Sequence, residues 1–244
     1  GSMVDAGHEP SPWIPAPIRW GVLAVLTVLF VGIGFQQARL DAPAVDEGAD
    51  VSSGVAALVH RDLRMVPEHP ALPKALAALP ALLAGPVVPE SEAWHEGEWF
   101  NWSDDFVAAN EDAGSLDATF LWARLVVVAQ GVAIAALLYA LASRFFGPDG
   151  GLVAAAAWLT TPDFVGLGHF AMLDVPFTLA TLALVLVTLR WLDRPTLART
   201  AAVGAVLGLA LATRHTGLVL AVWVVLVVVV KLRSRPFEAL QGLV

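Results

Sequence analysis

Apolar runs that are long enough, or nearly long enough, to cross a membrane dominate this chain. A membrane-spanning helix needs about twenty predominantly apolar residues, and six runs approach that length, separated by polar breaks. Hydrophobic residues make up 57% of the sequence and charged residues only 15%, against about 25% charged residues in an ordinary soluble domain. The pattern predicts an all-α, polytopic transmembrane helical bundle rather than a soluble fold.

The polar breaks divide the chain into five parts. Residues 18–38 are the first predicted transmembrane helix, residues 39–121 a long loop and residues 122–232 a bundle of five further spans. The spans that we expect after the loop cover residues 121–143, 152–165, 176–191, 198–212 and 217–230. The Pro-rich residues 1–17 begin with Gly-Ser-Met, an expression scar, and are expected to be disordered. Residues 233–244 are expected to form a cytoplasmic tail.

The composition argues against several classes of function. The sequence contains no cysteine, so thiol chemistry, disulfides and zinc–thiolate sites do not arise. Its formal net charge is −8, which argues against a nucleic-acid partner because nucleic-acid-binding domains are typically basic. Membrane lipids are the expected surroundings.

The loop at residues 39–121 is too long and too acidic to be a simple connection. It contains 15 of the 22 acidic residues, and loops of this length in compact proteins usually carry function. Two apolar stretches, 48–63 and 72–83, predict short helices that lie on the membrane surface. An aromatic cluster follows, suited either to the lipid headgroup level or to the face of a sugar: Trp94, Trp99, Phe100, Trp102 and Phe106.

Basic residues predict the side of the membrane that the loop faces. Arginines and lysines fall at alternate connections, near Arg144, Arg194 and Lys231, and such positive connections usually face the cytoplasm. The long loop and the polar turns at residues 169–174 and 214–215 then share the extracytoplasmic side. The sequence therefore predicts a multi-pass protein of the cell membrane with its polar residues gathered on one face.

The adjacent carboxylates of Asp46 and Glu47 follow the first span and are the leading candidates for catalysis. Neighbouring residues of a helix point in different directions, so one can meet a substrate while a basic partner holds the other. A partly desolvated carboxylate can act as general base on a hydroxyl. The alternative is that the pair simply solvates the end of the first span.

Other polar residues on this face have two interpretations each. Glu68 and His69 carry donors of the kind that bind a divalent ion, or they form an ordinary surface pair. Asp174 is either a site residue or a charge favoured by the N-terminus of the next helix. Arg214 and His215 either form a turn or supply a cation for a lipid-linked phosphate. For Arg214 and His215 we favour the phosphate-binding role, because an arginine on the exterior side runs against the positive-inside trend.

Several short motifs follow one another in a characteristic order. They are Asp46-Glu47 after the first span, Glu68-His69-Pro70 in the loop, Ala123-Arg124-Leu125 at the start of the second span, Met172-Leu173-Asp174-Val175-Pro176, and Thr213-Arg214. Their order across about residues 20–220 resembles the GT-C glycosyltransferases. The nearest branch is the protein O-mannosyltransferase and aminoarabinose-transferase-like group, glycosyltransferase families 39 and 83.

The resemblance implies a membrane enzyme that transfers a sugar from a polyprenyl-phosphate donor to an acceptor hydroxyl on the extracytoplasmic face. It implies Asp46 as general base, Glu47 as a supporting acid and Glu68 as a candidate ligand for a divalent metal ion. The substrate- and donor-binding residues that it implies are His69, Arg124, His169, Asp174, Arg214 and His215. It does not identify the sugar, or whether the acceptor is a protein, a lipid or a glycan.

Two other functions remain open. A catalytically inactive GT-C-like protein would bind a polyprenyl lipid or scaffold a partner. A transporter is the third alternative, but transporters commonly contain internal repeats, and no convincing repeat is present. Members of the resembled family have more spans than are predicted here, so the chain is expected to correspond to their N-terminal membrane half.

Overall fold

The computed structural model describes residues 12–234, and all regular secondary structure in that range is helical. The helices are α1 (Ala16–Leu40), α2 (Val45–Val59), α3 (Ala71–Ala81), α4 (Glu92–Glu96), α5 (Trp99–Asp112), α6 (Leu116–Thr160), α7 (Pro162–Leu167), α8 (Asp174–Asp193), α9 (Leu197–Leu211) and α10 (Leu218–Ser234). The all-α prediction is confirmed for these residues. Most of the two predicted tails, residues 1–11 and 235–244, lies outside the described residues.

Four segments are long and apolar enough to cross a membrane: α1, α6, α8 and His215–Arg233. The chain is therefore a multi-pass membrane protein. The apolar helix α9 has only 15 residues, fewer than the roughly twenty that a span needs. The predicted count of six spans therefore stays a prediction.

The longest helix, α6, is a hairpin whose arms meet at Gly147. Gly147 has φ 71° and ψ 177°, a conformation essentially restricted to glycine. The arms are antiparallel, because Trp158 Nε1 donates a 2.8 Å hydrogen bond to the Gly131 carbonyl. A straight helix would separate those two residues by about 40 Å. The two spans predicted at 121–143 and 152–165 thus correspond to the two arms, and Gly147 is the one non-helical residue between them.

The helices of the long loop pack into a core of their own against the start of α6. Its buried members include Val51, Val55, Ala78, Trp94, Trp102, Phe106 and Phe120. Helices α2 and α3 cross closely at Gly54, where a Cβ would lie 2.3 Å from the Lys74 carbonyl oxygen. Burial of a large apolar side chain contributes about 1.5–3 kcal/mol, so most of the predicted aromatic cluster stabilises this core. Trp99 is half-buried and Phe100 is exposed.

Ion pairs connect the helix ends on the side opposite the long loop. Arg19 Nη1 lies 3.1 Å from Asp149 Oδ1, and Arg144 Nη1 lies 2.7 Å from Asp193 Oδ2. Lys231 Nζ donates a 3.0 Å hydrogen bond to a carbonyl near the C-terminus of α8. This end holds the basic residues predicted to face the cytoplasm, while the long loop and the starts of α2 and α8 lie at the other end.

Candidate active site

A polar cavity of about 230 Å³ opens beside the starts of α2 and α8. Its charged and titratable lining residues are Asp46, Asp50, Glu68, His69, Asp174 and Arg214. Five of these residues were predicted from the sequence. They come from the long loop and from the polar turns at residues 169–174 and 214–215, and the fold brings them together. The remaining predicted residues do not line the cavity: Glu47, Arg124, His169 and His215.

The start of α2 determines which carboxylates face the cavity. Helix α2 begins at Val45, so Asp46 and Asp50 lie one helical turn apart on the same face. Glu47 points to the other side and is fully buried. Its Oε2 accepts a 3.3 Å hydrogen bond from the backbone N–H of Ala44, which satisfies one of the donors left free at a helix N-terminus. Acidic residues in a first turn also suit the helix dipole.

Glu47 and Arg124 form a buried ion pair. Arg124 Nε and Nη2 donate to the two carboxylate oxygens of Glu47 at 2.8 and 2.6 Å. The other N–H groups of Arg124 donate to the carbonyls of Ala38, Asp41 and Ala42 at the end of α1. All five N–H donors of the guanidinium are therefore used, as a charge with only 2% exposure requires.

The same ion pair also fixes the turn before α8. Glu47 Oε1 accepts a 2.8 Å hydrogen bond from the backbone N–H of Ala171. In that turn, the buried His169 has its Nε2 3.0 Å from Asp41 Oδ2. Burial, and then the charge of Arg124, lower the pKa of His169. Glu47 and Arg124 thus hold four segments in position around the cavity without facing it: the end of α1, the start of α2, α6 and the turn before α8. His169 does not face the cavity either.

Asp174 and Arg214 form an ion pair at the rim of the cavity. Asp174 is the first residue of α8, so it is both a helix N-terminal charge and a cavity residue. The side chains of Asp174 and Arg214 are 68% and 33% exposed, and such solvated pairs contribute little to stability. An anionic ligand can therefore compete for Arg214 at small cost. His215 is exposed and follows Arg214 outside the cavity lining.

Glu68 and His69 line the cavity from the turn before α3. Glu68 Oε1 accepts a 3.1 Å hydrogen bond from Trp99 Nε1, which places the indole beside the cavity. Burial, and then the charges of Arg214 and Lys74, lower the pKa of His69, which favours its neutral imidazole. Among residues 12–234, no three His, Asp or Glu side chains are grouped to hold a metal ion. The donor set does not fit a metal held by this part of the chain, so Glu68 as a metal ligand stays a prediction and no step below depends on it.

Asp50 faces the cavity but was not predicted as a site residue. It is only 6% exposed, and burial raises its pKa to about 7. Lys74 opposes this shift, while the negative charges of Asp46 and Asp174 add to it. The predicted helix began at Gly48 and so left Asp46 outside it. A start at Val45 would have shown that the two aspartates are one turn apart.

A second, apolar cavity of about 450 Å³ adjoins the polar one. Its walls come from the second arm of α6, from α7 and from the start of α8, and Trp158 stacks on Phe164 within it with ring centroids 4.2 Å apart. The two cavities share Met172 and Asp174. A charged pocket next to an apolar one suits a ligand that has a polar head and a hydrocarbon chain.

Comparison with known proteins identifies a family. The sequence model of the dolichyl-phosphate-mannose-protein mannosyltransferase family matches residues 116–240, slightly more than half of the 244 residues. The matched range contains Arg124, Asp174 and Arg214 but neither Asp46 nor Glu68. No curated protein and no solved structure matches the chain significantly. The resemblance inferred from the motifs is confirmed at the level of the family.

Proposed function

This chain belongs to the dolichyl-phosphate-mannose-protein mannosyltransferase family, and we propose that it transfers a sugar from a polyprenyl-phosphate donor to an acceptor hydroxyl on the extracytoplasmic face. One observation carries the proposal. A carboxylate base, Asp46, and a phosphate-binding cation, Arg214, face one polar cavity that adjoins an apolar cavity. The Asp46-Glu47 and Glu68-His69 motifs favour the O-mannosyltransferase and aminoarabinose-transferase-like branch.

The two cavities accommodate the two parts of such a donor. The prenyl chain lies in the apolar cavity against Trp158 and Phe164, and the phosphate reaches Arg214 past the shared residues Met172 and Asp174. A guanidinium suits a phosphate because its planar N–H groups donate in pairs. Arg214 then turns from Asp174 towards the phosphate. The sugar occupies the polar cavity, where Trp99 offers an aromatic surface.

The chemistry requires a base on one side of the sugar and a cation on the other. Asp46 takes the proton of the acceptor hydroxyl as its oxygen forms a bond to the anomeric carbon. The bond between that carbon and the phosphate oxygen breaks, and its electron pair stays with the phosphate, whose charge Arg214 stabilises. A positioned general base typically contributes about 10²–10⁴ in rate. Glu47 and Arg124 hold Asp46 and the turn before α8 in place.

The test replaces Asp46 by asparagine, which keeps the size of the side chain and removes the base. The protein in lipid nanodiscs is given radiolabelled mannose on a polyprenyl phosphate, with native membranes as the source of acceptors. Released polyprenyl phosphate and labelled product are measured by chromatography. We expect Asp46→Asn to lower transfer by about 100-fold or more. Asp104→Asn, which changes an exposed carboxylate of α5, is expected to leave transfer unchanged.

Each result has a definite meaning. Transfer by Asp46→Asn at the wild-type rate would refute the assignment of the base. If the wild-type protein binds the donor but transfers nothing, the proposed enzymatic function is wrong and the alternative of an inactive lipid-binding protein is supported. Equal losses in Asp46→Asn and Asp104→Asn would show that the assay reports folding rather than chemistry.

The orientation can be tested separately because the sequence contains no cysteine. A single cysteine at Asp104→Cys, in the long loop, is expected to react with a membrane-impermeant maleimide on intact cells. Phe146→Cys, beside the bend of the α6 hairpin and 76% exposed before substitution, is expected to react only after permeabilisation. The reverse pattern would place the cavity on the cytoplasmic side and overturn this part of the proposal.

A further inference from the structure

Asp50 is a buried carboxylate to which the proposed reaction assigns no task. It lines the polar cavity, yet its side chain is almost completely removed from solvent. Within residues 12–234, no group donates a hydrogen bond to its carboxylate. Buried carboxylates normally have such donors, and Glu47 on the other side of the same helix has four. Asp50 is therefore costly to keep charged, because its burial disfavours the ionised form.

The charges around Asp50 shift its pKa in opposite directions. Lys74 approaches from α3, but its Nζ is used in a 2.9 Å hydrogen bond to the Val66 carbonyl, and no ion pair with Asp50 forms. Asp46 lies one turn earlier on α2, and Asp174 and Arg214 act across the cavity. Burial and the two aspartates raise the pKa of Asp50 by more than the two cations lower it, and the result is a pKa of about 7.

We propose that Asp50 receives the proton that Asp46 takes from the acceptor hydroxyl and carries it out of the site. The inference rests on the proposed function and adds to it a residue that acts through the base rather than on the substrate. Two features of the geometry support it: the two carboxylates lie one turn apart on α2 and face the same cavity, and the cavity is large enough to hold water between them.

The proton balance of the cycle is complete. The acceptor O–H bond breaks and the proton bonds to Asp46 as the sugar is transferred. Asp46 then passes that proton, directly or through water in the cavity, to the ionised Asp50 carboxylate. Asp50 releases it to bulk water when the products leave, and both carboxylates return to their ionised form. No redox step or further reactant is involved.

The pH dependence of transfer tests this role. Because Asp50 must be ionised to accept a proton, the wild-type rate should rise as the pH increases through about 7. Asp50→Asn cannot accept the proton, so we expect a rate about 10-fold or more lower at pH 8 and the loss of this rise. Asp50→Glu keeps the titrating group and should restore the rise. Asp104→Asn is the control for a lost surface carboxylate.

His69 also faces the cavity and must be separated from Asp50. Its pKa is lowered from the ordinary value of 6.5, so its titration should occur at lower pH than that of Asp50. His69→Gln is therefore expected to keep the rise near pH 7 even if its rate falls. A wild-type rate and pH profile in Asp50→Asn, or loss of the rise in His69→Gln alone, would overturn the inference.

Infrared spectroscopy gives a readout that does not require transfer. The stretching band of a protonated carboxyl group should disappear from the wild-type spectrum as the pH rises from about 6 to 8, and this change should be absent from Asp50→Asn. No such band in the wild type overturns the inference. Failure of the proposed function appears differently: the wild-type protein then makes no product at any pH, whereas failure of the inference alone leaves transfer intact and dependent on Asp46.

Discussion

The carboxylates on the two sides of α2 have opposite surroundings. On one side, Glu47 is fully buried and accepts hydrogen bonds from Arg124 and from two backbone N–H groups. On the other, Asp46 and Asp50 face a polar cavity, and Asp50 is buried without a hydrogen-bond donor from the described residues. A carboxylate with several protein donors holds the structure together, whereas the carboxylates that face the cavity remain available to a substrate or a proton.

The difference follows from where each side chain meets the bundle. Glu47 meets α6, where Arg124 also binds the carbonyls that end α1. Asp46 and Asp50 do not pack against another helix as Glu47 does, because the cavity separates them from the turn before α8 and from Arg214. The hydrogen bonds of Glu47 fix the position of α2 and therefore the positions of Asp46 and Asp50. Such preorganisation lets a site keep polar groups unpaired until a ligand arrives.

Removal of Arg124 should produce the largest effect on stability. Arg124→Leu leaves Glu47 charged and buried without its partner, which typically costs about 3–5 kcal/mol. We expect a large fall in the thermal unfolding midpoint in detergent, measured by tryptophan fluorescence, and a low yield of folded protein. Arg144→Leu breaks the exposed pair with Asp193 and should cost about 1 kcal/mol or less. Equal shifts in the two variants would contradict the distinction between a structural ion pair and a surface one.

Asp50→Asn should change stability in the opposite direction. Because the pKa of Asp50 is raised from 3.8 to about 7 in the folded protein, the folded state binds more protons than the unfolded state between those values. The contribution of Asp50 to the stability of the wild type should therefore fall as the pH rises from about 4 to about 7.

The asparagine variant lacks this penalty. At pH 8 it should be more stable than the wild type, by an upper limit of about 4 kcal/mol at 1.36 kcal/mol per pKa unit. The difference should shrink as the pH falls towards 4. Unfolding midpoints measured across this range test the prediction, and a variant that is less stable than the wild type at pH 8 would show that the Asp50 carboxylate has stabilising partners. A stability gain combined with slower transfer would also fit a residue retained for function.

Prediction from the sequence worked best for residues that could be selected by their type and by the side of the membrane on which they lie. Asp46, His69, Asp174 and Arg214 were selected because polar residues between apolar runs are costly and gather on one membrane face, and the structure places all four around one cavity. Arg124, by contrast, was predicted to bind the donor, and that role stays a prediction. In the structure its guanidinium pairs with Glu47, because its position on α6 faces the N-terminus of α2.

Two other features depended on details that hydropathy does not contain. Asp50 was missed because the predicted start of α2 was three residues late, at Gly48 rather than Val45, and side-chain direction on a helix changes with every residue. The aromatic residues of the loop were predicted to suit either the lipid headgroup level or the face of a sugar. Trp94, Trp102 and Phe106 are buried instead, since α2, α3 and α5 form a core that a local pattern does not reveal.

The sequence by itself determined the helical class, the membrane setting and the set of polar residues on one face, because these depend on composition and on the order of apolar runs. It also determined the family, through the order of its motifs. Only the tertiary structure decided which polar residues are structural and which face the cavity. That choice depends on the rotation of α2, on the fold of α6 back at Gly147 and on the partners that these bring within hydrogen-bonding distance.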